Sequence, residues 1–272
     1  MNEIRVTSWN ELLEQLYEGS WDELLGRYRS SFSFRGLPDA SYVLMTSLMR
    51  MGGPYVELER HLLRNFRKYA YKDVSVQDSI WYLLSIAAHH GLPTRLLDWT
   101  YSPFVSLHFA TEDLSQYDRD GAVWCVDYVK TKALLPSRLR DMLDQEGANV
   151  FTADLLKQVA STLHEFDHLA RNAFPVFFEP PSMDDRIVNQ HALFSVMSNP
   201  SVRLDQWLCE HPDLFRRVII PSDLKWEVRD KLDQANITER VLFPGLDGLS
   251  QWLTRQYSPK NPEPEAARAG CG

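Results

Sequence analysis

The sequence predicts an α+β fold, a single domain whose mixed β-sheet is flanked by helices, and three observations predict it. Short β-compatible runs at 31–35, 96–100, 122–126 and 192–197 alternate with stretches of helical apolar spacing. The strand runs are apolar at most positions, as buried strands are. At 272 residues and 44% hydrophobic content, the chain can bury one sizeable core.

Taken in order, residues 4–7 alternate as a short strand does. Ser8 and Glu11 then form an S-x-x-E capping box that opens a helix through Leu12, Leu13, Leu16 and Tyr17. Residues 31–35 read as a strand ended by Gly36 and Pro38, which puts Arg35 at a strand end, and 42–48 reads as a second extended piece. Leu58, Leu62, Leu63 and Phe66 mark a helix over 56–70. A second helix over 76–89 turns Ile80, Leu83, Leu84 and Ala87 inward. Gly91 caps that helix and Pro93 blocks its continuation, so His89 and His90 occupy the last turn. Residues 96–100 form a strand with Asp98 and Thr100 on one face, and Pro103 opens a helix that packs Val105, Leu107, Phe109 and Ala110 inward. Further strands are expected at 122–126, 192–197, 218–220 and 241–243, with helices at 152–170, 223–234 and 245–252. The compact unit is expected over 1–257. Residues 258–272 hold no core-forming residues and are expected to be disordered.

A net charge of −8 argues against a surface that grips nucleic acid mainly through phosphates, although a local basic cleft is compatible with it. Cys125, Cys209 and Cys271 cannot all pair and show no C-x-x-C spacing, which points to a reducing cytoplasm. No basic leader with an apolar run opens the sequence and no stretch approaches a membrane span, so no membrane partner is expected.

The chemistry concentrates in residues 89–100, where His89, Thr94, Arg95, Asp98 and Thr100 crowd into twelve positions of apolar sequence. Arg35, in an apolar strand, must meet either a protein carboxylate or an anionic ligand, because an unpaired buried guanidinium costs several kcal/mol. In one reading Arg35, Arg95 and Asp98 form a buried ion network with Trp99 filling core beneath it. In the other, Arg35 or Arg95 grips a phosphate while Asp98, Thr94 and Thr100 order the rest of the ligand. His89 is either a solvated helix-capping residue or a general acid or base; His90 points about 100° away from it. Residues His164, Glu165 and His168 form an H-E-x-x-H pattern, the signature of a zinc hydrolase helix. Asp167 interrupts its apolar surroundings, and Leu155, Leu156, Val159, Leu163 and Phe166 already supply the buried stripe, so no metal is expected.

Phe34-Arg35-Gly36, Leu48-x-Arg50, the run His89-x-Gly91-x-Pro93-Thr94-Arg95-Leu96-Leu97-Asp98-Trp99-Thr100 and Phe109-Ala110 together resemble the FRG domain, with a core at about 27–128. Arg186-x-x-x-Gln190 and residues 242–248 resemble features of longer members. His191-Ala192 and Met45-Thr46-Ser47 depart from the family's flavour at those positions. FRG domains are in turn distantly similar to ADP-ribosyltransferases. That resemblance implies an arginine strand at Phe34-Arg35-Gly36, a second strand at 97–100 and an acidic strand at 238–242 bearing Glu239. It implies NAD as a substrate and Glu239 as a catalytic acid. Together with the reading of the residues above, Arg35, Gly36, Thr94, Arg95, Thr100 and Gln190 are expected to bind the ligand and His89 and Asp98 to join Glu239 in catalysis. A protein or nucleic-acid acceptor and a toxin or phage-defence role follow from the same resemblance. The same pocket also suits a module that binds a nucleotide without turning it over.

Overall fold

The computed structural model describes residues 2–70, 79–182 and 184–260. Most of the tail, Cys271 and the helix start expected near residue 76 lie outside these residues.

The strands are β1 (Glu3–Arg5), β2 (Trp21–Asp22), β3 (Arg27–Tyr28), β4 (Phe32–Leu37), β5 (Leu96–Thr100), β6 (Gly121–Asp127), β7 (Phe151–Thr152), β8 (Pro175–Glu179), β9 (Ala192–Met197) and β10 (Phe215–Ile220). The helices are α1 (Trp9–Tyr17), α2 (Ser47–Met51), α3 (Tyr55–Tyr69), α4 (Ile80–His89), α5 (Pro103–Thr111), α6 (Tyr128–Ala133) and α7 (Ser137–Gln145). They continue with α8 (Ala153–Val159), α9 (Leu163–Asp167), α10 (Asp185–Asn189), α11 (Leu204–Cys209), α12 (Lys225–Gln234), α13 (Glu239–Leu242) and α14 (Leu246–Gln256).

Among the described residues eight strands form one mixed sheet in the order β1-β10-β6-β4-β5-β9-β8-β7, with parallel pairs at its two edges and antiparallel pairs between. The α+β class with a mixed, helix-flanked sheet is therefore the observed one. Alternation along the strands sorts the core. On one face Phe34, Val123, Val218 and Ile220 pack beneath α1, α5 and α12. Farther along that face Leu96, Val176, Phe178, Phe194 and Val196 pack beneath α3, α4, α7 and α8. The opposite face buries Leu37, Leu97, Trp99, Phe177 and Leu193 against α11.

These two clusters on the first face are divided at the join between β4 and β5. There the ladder holds a single residue pair, Phe34 with Thr100. By contrast β4 runs six pairs along β6, and β5 runs five along β9. The two central strands thus part immediately after Phe34.

Local chemistry explains most elements. Ser8 accepts from the Glu11 N–H as expected, while the Glu11 carboxylate reaches one residue further back, to the N–H and hydroxyl of Thr7. The α4 terminus closes as the glycine predicts, with Gly91 at φ +79° and the Leu92 N–H donating to the Ala87 carbonyl.

Four expectations are corrected. Residues 42–48 do not return as a strand; Thr46 caps α2 instead, accepting from the Met49 N–H. The 152–170 helix is two helices, because Ala160 turns extended at φ −143° and Ser161, Thr162 and Glu165 start α9 with a capping set of their own. Residues 238–242 are not a strand: Thr238 precedes the single turn of α13, so Glu239 stands on a helix. Arg35 lies inside β4 rather than at its end, since the strand continues to Leu37.

Candidate functional site

The parting of β4 and β5 opens a cleft of about 400 Å³, a size typical of small-molecule sites. Its walls come from β4, β5, the end of α4, α5 and α10. Arg35, Gly36, His89, Asp98, Thr100 and Gln190 all line it, joined by Tyr42, Arg50, Phe109, Glu112 and Arg186.

Gly36 explains how the cleft is built. A Cβ placed there would lie 1.8 Å from the Ser106 carbonyl oxygen and 2.7 Å from the Ala110 nitrogen. Only glycine lets the backbone of α5 rest directly on β4, and that contact fixes where α5 carries Phe109 and Glu112 along the cleft.

Arg35 stands at the parting point and donates from Nη1 to the Asp98 carbonyl at 2.5 Å, a main-chain acceptor that the interrupted ladder leaves available. The Asp98 carboxylate lies farther off, at 3.7 Å, and its side chain is 78% exposed, so the pair does not close into a buried ion pair. The Arg35 Nε is buried without a partner among the described residues. Burial weakens the hold of Arg35 on its proton, with Asp98 opposing that effect and Arg50 adding to it. A guanidinium stays charged regardless.

His89 is held by Asp184, the N-cap of α10, with Nε2 2.5 Å from the carboxylate. Burial works against charge on Asp184, but the Ile187 N–H and His89 keep its carboxyl below the usual range. The Thr100 hydroxyl donates to the Gln190 carbonyl at 2.7 Å and accepts from the Ser102 N–H, which joins β5 to the turn before β9. Gln190 donates in turn to the Leu242 carbonyl at 2.9 Å.

Three residues expected in this site sit elsewhere. Arg95 belongs to a buried network on the far side of α4. Its Nε donates to Glu59 at 2.7 Å and its Nη1 to Asp167 at 2.5 Å, with Arg95 and Glu59 each only 2% exposed. Thr94 is buried with its hydroxyl on the Leu96 N–H, and its carbonyl anchors Leu48 and Ser47 of α2. Glu239 is clamped by Arg255 at 2.6 and 2.8 Å and lines a neighbouring hollow with Asp113 and Ser250, which meets the cleft at Glu112. Burial opposes its charge, but Arg255 holds its carboxyl below the ordinary range.

The H-E-x-x-H residues are engaged in local contacts, with the His164 and His168 rings stacked at 4.2 Å. Glu165 spends its carboxylate on the Ser161 N–H and hydroxyl, His168 Nδ1 meets the His164 carbonyl at 2.7 Å, and α9 ends at Asp167. No group of three or more metal-ligating side chains exists among the described residues.

Sequence reasoning passed over Glu112 and Asp184 and gave Arg50 and Arg186 no role. Arg50 and Arg186 lay in the spaced pairs Leu48-x-Arg50 and Arg186-x-x-x-Gln190, which was the available signal. Neither forms a salt bridge among the described residues; Arg186 rests over the Phe243 ring at 4.9 Å. Glu112 had no signal, because a charged residue at a helix end is ordinarily a solvated cap.

Residues 30–119 match the model of the FRG domain family. The chain carries an FRG domain. No curated protein and no solved structure matches it. The FRG match covers β4, β5 and α2 to α5, and so most of the cleft wall, while Arg186 and Gln190 come from beyond it. Within the FRG tripeptide each residue has its own duty: Phe34 packs in the core, Arg35 faces the cleft, and Gly36 admits α5. No helix among the described residues is long and apolar enough to cross a membrane.

Proposed function

We propose that the FRG cleft binds a nucleotide-like anion, with NAD as the first ligand to test. One observation carries this reading. On a chain of net charge −8, three guanidiniums, Arg35, Arg50 and Arg186, converge on one open cleft in which the carboxylates are Asp98 and Glu112. Arginine forks suit the oxygens of a pyrophosphate, and Tyr42 and Phe109 offer ring surface for a base or a nicotinamide. The His89–Asp184 pair supports the same reading, since an imidazole oriented by a carboxylate presents its other ring nitrogen in one fixed direction.

Transfer or hydrolysis at the nicotinamide bond requires an acid in the cleft, and Glu239 is engaged with Arg255 outside it. That placement favours binding as the primary activity and leaves any turnover to an acid other than Glu239. A toxin or phage-defence role and a macromolecular acceptor stay within the proposal as the family resemblance implies them.

Isothermal titration with NAD, ADP-ribose and pyrophosphate tests the reading, with nicotinamide release followed in parallel. Arg35→Ala is expected to weaken binding at least tenfold, as losing one charge-assisted bidentate contact does. Absence of binding by all three ligands to the folded protein, or equal affinity in the variant, would refute it.

A further inference from the structure

His108 is fully buried in α5, where both ring nitrogens need partners. Arg229 Nη1 lies 2.8 Å from His108 Nδ1. A guanidinium has donors only, so Nδ1 must accept, and the single proton of the neutral ring sits on Nε2. Burial lowers the His108 pKa to about 3, and the Arg229 charge adds to the effect, so the ring takes up no second proton near neutrality. Its Nε2 has no hydrogen-bond partner among the described residues. The Glu112 carboxylate stands 3.7 Å away, one turn along the same chain direction. That gap lies just outside hydrogen-bond range, and a small turn of the Glu112 side chain, 40% exposed, would close it.

Glu112 in turn faces the cleft beside Arg35 and Arg186. We infer that Glu112 is the proton-exchanging group of the FRG cleft and that His108, locked in one tautomer by Arg229, is its positioning residue. The inference rests on the anion-binding reading for its substrate, whereas its geometry belongs to the protein alone.

The surroundings of Glu112 fit the role. Desolvation, then Glu239 from α13 and the adjacent Asp113, push its carboxyl up to about 7, against Arg229 from α12 and Arg186 from α10. The exposed part of the side chain moderates the push from burial. Arg35 faces it from β4. His89, Asp184, Asp185 and Asp247 share the outer hollow that it also lines. A carboxyl populated in both forms near neutrality accepts a proton from a water or hydroxyl that attacks an arginine-held anion. With NAD as the proposed ligand, the O–H bond of the nucleophile breaks as one forms on Glu112. The nucleophile's oxygen bonds to the ribose C1′ as the C1′–N bond to nicotinamide breaks, and because nicotinamide leaves neutral the proton passes from Glu112 to solvent. Glu112 thereby places a carboxyl in the cleft itself, where Glu239 is engaged with Arg255.

Carboxyl-labelled glutamate NMR tests this without any ligand, with Glu112→Gln assigning the signal. Glu112 is expected to titrate near 7, and in His108→Phe its midpoint is expected to rise by about half a unit, because the N–H that faces the carboxylate and favours its ionised form is lost. A wild-type midpoint in the ordinary carboxylate range overturns the proton-exchange role. An unmoved midpoint in folded His108→Phe overturns the positioning role. If that variant does not fold, nitrogen shifts of the wild-type ring decide: a proton on Nε2 alone supports the inference, and any other state overturns it. Failure of nucleotide binding alongside a Glu112 midpoint near 7 overturns the anion reading alone.

Discussion

Replacing Gly36 by alanine is the sharpest test of how the cleft is assembled. The new methyl would sit 1.8 Å from the Ser106 oxygen and 2.7 Å from the Ala110 nitrogen, both backbone atoms of α5 that no rotamer change can move aside. Helix and strand must separate by more than about 1 Å, and a gap of that size forfeits a quarter to a half of each dispersion contact across it. Leu107 and Ala110 would lose their fit against Phe34 and Val123. Overpacking ordinarily costs about 1–3 kcal/mol; with backbone on both sides, about 3 kcal/mol or more is expected, a large share of a typical stability of roughly 5–15 kcal/mol. Urea denaturation followed by tryptophan fluorescence measures it. Gly26→Ala serves as the control, because nothing lies within 4 Å of that position although φ is +59°, and about 1–2 kcal/mol is expected there. A Gly36→Ala protein that loses less than about 1 kcal/mol, or less than the control, would refute the close-approach argument.

Three further outcomes are expected. Glu59→Gln should lower the unfolding free energy from urea melts by about 3 kcal/mol, because Arg95 is then left buried with Asp167 as its carboxylate partner among the described residues. His191 sits in the left-handed region at φ +47°, so His191→Gly should raise stability by about 0.5–1 kcal/mol, read as a higher melting temperature. Burial opposes charge on Asp39, but Arg119 and the Ser41 N–H overcome it and bring its carboxyl down to about 2. Its folded pKa is depressed, so its contribution is present above the unfolded value near 4 and is lost as pH falls toward 2. Asp39→Asn should flatten that part of an acid titration followed by circular dichroism.

The elements legible from sequence were those whose pattern and punctuation agree. Strands 96–100 and 192–197 are bounded by turns, and Pro103 starts α5 as its missing N–H favours. Residues 241–243 misled because three apolar residues in a row carry no period; the chain makes one helical turn there, and Asn189 and Gln190 take up the Val241 and Leu242 carbonyls. Of the cleft, Arg35, His89, Asp98 and Thr100 were legible because polar groups in apolar segments need a reason. Arg95 was assigned with Asp98 on sequence proximity. It precedes β5 at a bend and turns to carboxylates on α3 and α9 that no local pattern connects to it. Glu112 and Asp184 were illegible because their meaning depends on His108 and His89, partners that only the packing of α5 and α10 supplies.

Among the described residues, the region shared with the FRG family contributes two of the eight strands in the main sheet, and the strands on either side of that pair, β6 and β9, lie beyond residue 119. An excised 30–119 fragment would therefore expose two long rows of unsatisfied peptide groups, a template for self-association rather than a working module. What recurs as a unit of inheritance is in this protein an inlay, and any transplant of the cleft must bring along the flanking ladders that hold it open.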